Sequence, residues 1–348
     1  MPYRNPIQHS MLRRAAFWDY RAPRIYMITI TLQDRSRPLL GEVVVSSPAN
    51  TRPEDVKAFV RPSPLGEEVI KCWNTISVLH PEIRLLGFQL MEEHLHGVLH
   101  VQKQLPRPLG NIVGGFKSAC TTAFRQLSPG QGDKPLFAPG FQDTILSGEN
   151  QLERMLHYLQ DNPRRAAIRR LFPEFFHHLR DIPFGDGSFT GVGNAFLLEA
   201  PLFHQVQASR RITDGEFQQK QREMMAAVKG NAVVVSPCIS PAEKELARIA
   251  FDSQSPLIVL KNIGFSPLFK PSGAYFDACA NGRLLMLAPS QWPYTPARKP
   301  MTRMDACVLN ALAQQICGSH AAEIHYAGFT PENIAELVNR AMRPSLRR

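Results

Sequence analysis

The sequence predicts two units of different fold class, an α+β ferredoxin-like unit over residues 1–190 and an α/β doubly wound unit over residues 191–348. Three observations predict this. Up to about residue 180 the periods run strand, helix, strand, strand, helix, strand, helix, the order of a ferredoxin-like or RNA-recognition-like unit with one added helix. From about residue 194 short apolar runs alternate with capped helices, the rhythm of a mostly parallel sheet. Between them Gly185, Gly187, Gly191 and Gly193 interrupt every period, which puts the boundary there. A chain of 348 residues, 44% hydrophobic and 20% charged, is long enough for a core in each unit.

The first two dozen residues set Arg4, Arg13, Arg14, Arg21 and Arg24 among Phe17, Trp18 and Tyr20 without a clean period. They read either as an arm that touches phosphates or as a solvated lead-in. Residues 25–32 alternate apolar side chains with threonine, as a half-buried strand does. A loop rich in proline and charge runs to Pro64. Val69, Ile70, Trp73, Ile76 and Leu79 then recur at helical spacing, predicting a helix over 66–80. Strands at 83–91 and 94–101 follow, separated only by Glu92 and Glu93, as in a hairpin. A helix over 111–127 contains Gly114 and Gly115, which weaken it and permit close approach of a backbone or ligand. Residues 141–146 form a short strand. Leu152, Met155, Leu156 and Leu159 give the apolar stripe of the next helix, which Pro163 ends or restarts.

In the second unit, residues 203–208 read as a strand. Thr213 with Glu216 forms a capping box for a helix to about Lys229. Residues 232–236 are an apolar buried strand, and Ser240-Pro241-Ala242-Glu243 opens a second capped helix, to about Asp252. Short strands at 256–260 and 283–288 flank a helix near 275–280. Thr302 caps a helix facing inward through Val308, Leu309, Leu312 and Ile316; a strand around Ile324 and a helix over 331–342 complete the set.

The formal net charge of +10 and a pI near 9.5 favour an anionic partner, and nucleic acid is the commonest for a soluble protein. The excess is spread evenly over the two units, so only local clusters can mark a site. Six cysteines form no CxxC pair and no run of apolar residues is long enough to span a membrane. A reduced, cytoplasmic, nucleoid-associated protein without a membrane partner is expected.

Two stretches carry the chemistry. His94 and His96, at i and i+2 of a strand, project from one face and can grip one cation side by side. Tyr158 and Asn162, at i and i+4 of a helix, share a face and can point together at that cation. Phosphodiester cleavage by a side-chain hydroxyl needs an aligned nucleophile, a cation to neutralise charge on the phosphoryl oxygens, and donors that hold the backbone. Tyr158 would be the nucleophile, and His94, His96 and Asn162 the ligands of Mg²⁺ or Mn²⁺, metals suited to a mixed nitrogen and oxygen site. Lys117, Arg164, Arg165, Arg169 and Arg170 are the candidate phosphate contacts. Taken singly, a His-x-His on a strand or a tyrosine on a helix is commonly incidental. Their placement within the strand and helix order carries the functional reading. His100 shares the strand parity but lies too far along, and His157 points to another helix face.

These residues resemble a family. His94-Leu95-His96, the Lys117 helix and Tyr158-x-x-x-Asn162-Pro163-x-Arg165-Ala166 resemble the single-tyrosine HUH transposases, with the REP-associated tyrosine transposase branch the nearer likeness, over about residues 15–172. The resemblance implies a ferredoxin-like fold, a metal held by the histidines and by the residue four after the tyrosine, and a 5′-phosphotyrosine formed on single-stranded or hairpin DNA. Glu92-Glu93 departs from the Pro-Asn that many relatives carry before the first histidine. In the second unit Val233-Val234-Val235-Ser236-Pro237-x-Ile239-Ser240-Pro241-x-Glu243 resembles the Rossmann-like core of the DNA-processing protein A superfamily. The loop after that strand leaves N–H groups open for a phosphate, with Ser236 and Ser240 as its side chains; the plainer alternative is that both serines only cap the turn and helix.

Three readings follow: a transposase-type enzyme that cuts and rejoins DNA strands, with a homodimer left open; a domesticated relative that binds hairpin DNA without chemistry; and a nucleotide-binding regulatory protein acting through the second unit.

Overall fold

The computed structural model describes residues 18–48, 51–130, 134–267, 269–295, 300–318 and 330–343. Arg4, Arg13, Arg14 and Phe17 of the basic N-terminal stretch, and the strand expected around Ile324, lie outside them. The chain divides into two compact units, Met1–Ile168 and Arg169–Arg348.

The first unit is built on four antiparallel strands in the order β4-β5-β1-β6. These are β1 (Arg24–Thr31), β4 (Ile83–Leu90), β5 (His94–Val101) and β6 (Gln142–Leu146), with β2 (Gly41–Val45) and β3 (Ala58–Pro62) pairing as a separate hairpin. That hairpin occupies part of the stretch expected to be loop. Val43, Val44, Phe59 and Val60 are strand formers among the prolines and charges, and they pair in register Val43↔Val60 and Val44↔Phe59. Helix α1 (Pro64–Leu79) starts where Ser63 accepts the Gly66 N–H with Pro64 in the first turn. Helix α2 (Leu109–Leu127) lies beside it, and α3 (Gln151–Leu171) runs unbroken through Pro163.

Strand parity sorts β5 between two cores. Leu95, Leu99 and Val101 face the core made with α1 and α2. Val98 faces the opposite way, packing with Met27, Leu146 and Leu159 under α3. Gly97 is fixed by packing: a Cβ there would stand 2.1 Å from Cη2 of the buried Trp73.

The second unit starts earlier than the glycine-rich stretch suggested. Strands β7 (His178–Phe184) and β8 (Gly187–Gly193) pair with each other, and β8 pairs antiparallel with β12 (Leu284–Pro289). The glycines are part of this strand pairing, because a Cβ at Gly191 or Gly193 would meet the Met286 or Leu284 carbonyl at 3.0 or 2.2 Å. The sheet continues in parallel through β11 (Leu257–Leu260), β10 (Val233–Ser236) and β9 (Phe203–Gln205).

The doubly wound expectation is corrected here. The four parallel strands lie in chain order, with no reversal among the described strands. Consecutive crossovers of one hand then place the connecting helices on one face. Those helices are α4 (Asp214–Lys229), α5 (Pro241–Asp252) and α6 (Ala274–Ala280), which bury Met224, Leu246 and Cys279 together. The other face is covered by α7 (Arg303–Cys317) and α8 (Pro331–Met342), which follow the last strand and bury Leu312 and Val338. Among the described residues no helix is long and apolar enough to cross a membrane.

Candidate active site

His94 and His96 share the face of β5 that α3 covers, as Val98 does. Their rings meet edge to face with centroids 4.8 Å apart, and the His96 ring meets Tyr158 at 5.9 Å. Three of the four residues singled out in sequence are thus brought together. Asn162 lies one helical turn beyond Tyr158. Its residue is 8% exposed, and its Nδ2 is buried without a hydrogen-bond partner among the described residues. A buried donor left unpartnered costs about 1–3 kcal/mol, which an acceptor such as a phosphate oxygen would offset.

The surroundings fix the rings. Thr29 pairs with His96 across β1 and β5, and its hydroxyl lies 2.8 Å from His96 Nδ1, leaving Nε2 to point elsewhere. Burial, with the neighbouring His94 ring, pushes the His96 pKa down to about 3, so its imidazole is neutral at physiological pH. Neutral imidazole is the form that ligates a cation. The two glutamates of the hairpin divide. Glu92 is buried and accepts the Val43 N–H at 2.9 Å, holding the β2 strand. Glu93 lies 3.3 Å from His94 Nδ1 and 3.5 Å from Arg35, and its contact with the His94 ring holds its carboxyl down at about 2 against the opposing effect of burial. Glu93 and His94 are within ion-pair distance without hydrogen-bond alignment.

The Tyr158 hydroxyl has no hydrogen-bond partner among the described residues, so it is available to a substrate. Arg165 stands over the Tyr158 ring at 5.7 Å and is itself held by Asp161. Asp161 also accepts from Arg164 at 2.6 Å. The Asp161–Arg164 and Asp161–Arg165 spacings of three and four on one helix were visible in sequence; Thr29 was not, because it depends on strand register.

Several expected phosphate contacts have other work. The Lys117 ammonium donates to the carbonyls of Ala138 and Gly140, at 2.9 Å for Gly140, and so ties the loop before β6. Arg165 is buried, and Arg169 lies over the Phe276 ring at 4.8 Å. Arg164 is half-buried against Asp161, and Arg170 alone of the four arginines is exposed.

The phosphate site expected at Ser236 and Ser240 is corrected as well. Ser236 is fully buried, its hydroxyl accepting the Cys238 N–H at 3.1 Å, and Ser240 caps α5. The N–H groups of Ala208, Ile239 and Ser240 already donate to the Glu243 carboxylate at 3.1, 2.6 and 3.2 Å. The chain supplies its own anion there.

Among the described residues no group of three or more His, Cys, Asp or Glu is placed to hold a metal ion. A cation at this site would therefore draw on two imidazoles and the Asn162 amide oxygen, with the remaining positions open to substrate and water. That donor set fits Mg²⁺ or Mn²⁺.

No protein-family model matches the chain. An uncharacterised protein of Haemophilus influenzae (strain ATCC 51907 / DSM 11121 / KW20 / Rd) is 23% identical over 181 residues, which span 46% of this chain and 92% of that protein. A solved REP-associated tyrosine transposase bound to a REP hairpin is similar at a TM-score of 0.32 with 13% identity, over 44% of this chain and 74% of that one.

Proposed function

We propose that the first unit, read as a ferredoxin-like domain of the single-tyrosine HUH transposase type, cuts and rejoins single-stranded or hairpin DNA through a 5′-phosphotyrosine. The observation that carries this reading is the contact of Tyr158 with His96, itself in contact with His94, on the one sheet face that α3 covers. The strand order β4-β5-β1-β6 supports the fold assignment. His94, His96 and Asn162 would hold Mg²⁺ or Mn²⁺. Bound there, the cation supplies charge neutralisation at the phosphoryl oxygens.

The chain's own groups do the rest. Thr29 orients the His96 ring through Nδ1. Arg165, held by Asp161, lies over the Tyr158 ring and positions it. The Tyr158 oxygen attacks phosphorus, a P–O bond to tyrosine forms, and the bond to the 3′ oxygen breaks. The phenol proton leaves to solvent as the 3′ hydroxyl is made. Because the phosphodiester is conserved as a phosphotyrosine, a second 3′ hydroxyl reverses the step and joins strands. Incubation with Mn²⁺ and a panel of hairpin-bearing single strands gives a band of protein-linked DNA on denaturing gels. Tyr158→Phe abolishes it. An undiminished band in that variant, or no band with any substrate, refutes the reading.

A further inference from the structure

A small aromatic cleft in the second unit has no part in the chemistry above. It lies where the chain leaves the ends of β11 and β12 and passes the β7 and β8 hairpin, with a volume of about 130 Å³. Phe265, Trp292 and Tyr294 line it together with Arg180. Ligand pockets for drug-sized molecules run from about 300 to 1,000 Å³, so this one admits a single ring system.

Three features make it a built site. First, the walls are rigid: Phe265 packs against Phe269 at 5.3 Å and His178 at 6.4 Å, and the His178 Nε2–H donates to the Phe269 carbonyl at 2.6 Å. Gly264 lets the two loops close, since a Cβ there would stand 2.6 Å from the Trp292 carbonyl oxygen. Second, β7 breaks register between Leu179 and Ile182, and Asp181 sits at φ 52° within that bulge. Bulges re-aim side chains, and a non-glycine residue in the left-handed region is a local strain that the surrounding structure must hold. The residue the bulge carries is Arg180, which is exposed and has no ion-pair partner among the described residues. Third, Tyr294 is 45% exposed and lines the same cleft as Arg180.

We propose that this cleft takes one unpaired base of a single-stranded nucleic acid, stacked on Trp292 and Tyr294, with Arg180 pairing the adjoining phosphate. Every base has a π-face and every nucleotide a negative charge, which is what a platform of aromatic rings edged by arginine selects. The chain's net charge of +10 suits such a partner. The site stands independently of Tyr158, and it gives the second unit a grip on the strand that no catalytic residue supplies.

Trp292 reports on its own occupancy. Titrating the full chain with the oligonucleotide dT12 quenches tryptophan fluorescence saturably, and Trp292→Phe removes that quenching although Trp18 and Trp73 remain. Tyr294→Ala and Arg180→Glu, both at exposed positions and checked for an unchanged melting temperature, weaken dT12 binding roughly five- to hundred-fold, the scale of one base–aromatic stack. Tyr158→Phe leaves the titration unchanged, which separates this site from the first unit's chemistry. Absence of quenching, or quenching that persists in Trp292→Phe, overturns the proposal. Thymidine 5′-monophosphate binding as tightly as dT12 overturns it too, in favour of a free nucleotide.

Discussion

At the scale of single residues, the site is set by what each ring nitrogen touches. His96 is the best determined: Thr29 engages Nδ1, and burial keeps the ring neutral. If His96 holds a cation through Nε2, Thr29→Val loosens the ring without touching the donor atom. Mn²⁺ affinity measured by calorimetry then falls about 10- to 100-fold, the usual effect of removing an outer hydrogen bond to a metal-bound histidine. The same burial has a pH signature. The folded pKa of about 3 lies below the ordinary 6.5, so the unfolded chain binds a proton that the folded chain refuses between those values. The contribution of neutral His96 is present in full above pH 6.5. It is lost as pH falls, by up to about 1.4 kcal/mol per pH unit. His96→Asn should flatten the decline in melting temperature between pH 6.5 and 5.5, above the range in which Glu93 of the unfolded chain takes up its proton. Arg165 has an evident place next to the tyrosine in sequence, while its pairing with Asp161 emerges in the structure.

At the scale of elements, the helices and the shared strand face of His94 and His96 were legible because periodicity and caps are local. The Thr213 and Ser240 capping boxes form as their spacing implied, and Thr302 caps its helix, with Asp305 completing a box there. What escaped was set by distant partners. Gly191 and Gly193 read as a linker, yet they belong to a strand whose neighbour's carbonyls leave no room for a Cβ. Val43 and Val44 were masked by surrounding prolines, and strand order in the second sheet has no local trace. Tertiary packing also explains Gly97, for which Gly97→Ala should destabilise the first unit by about 1–3 kcal/mol in urea unfolding, since Trp73 cannot move without opening the core. At the start of α5 the decisive group is Glu243, two-thirds of whose role lies outside its capping box. Replacing it with glutamine turns an amide NH2 against at least one of the three N–H donors, and a loss of about 2 kcal/mol or more is expected, against about 1 kcal/mol for Ser240→Ala.

At the scale of the whole molecule, two units with separate cores divide the chain, and each carries half of the positive charge. The charge favours an anionic partner, and the tyrosine beside two histidines is the arrangement on which the proposed strand cleavage rests. The central claim is that Tyr158 becomes covalently joined to a DNA 5′ phosphate. The most direct measurement is to digest the protein after reaction with hairpin DNA and Mn²⁺, and to locate the retained nucleotide by mass spectrometry. A nucleotide on the peptide containing Tyr158 is predicted. A nucleotide on any other residue, or none on a protein that has cut the strand, contradicts it.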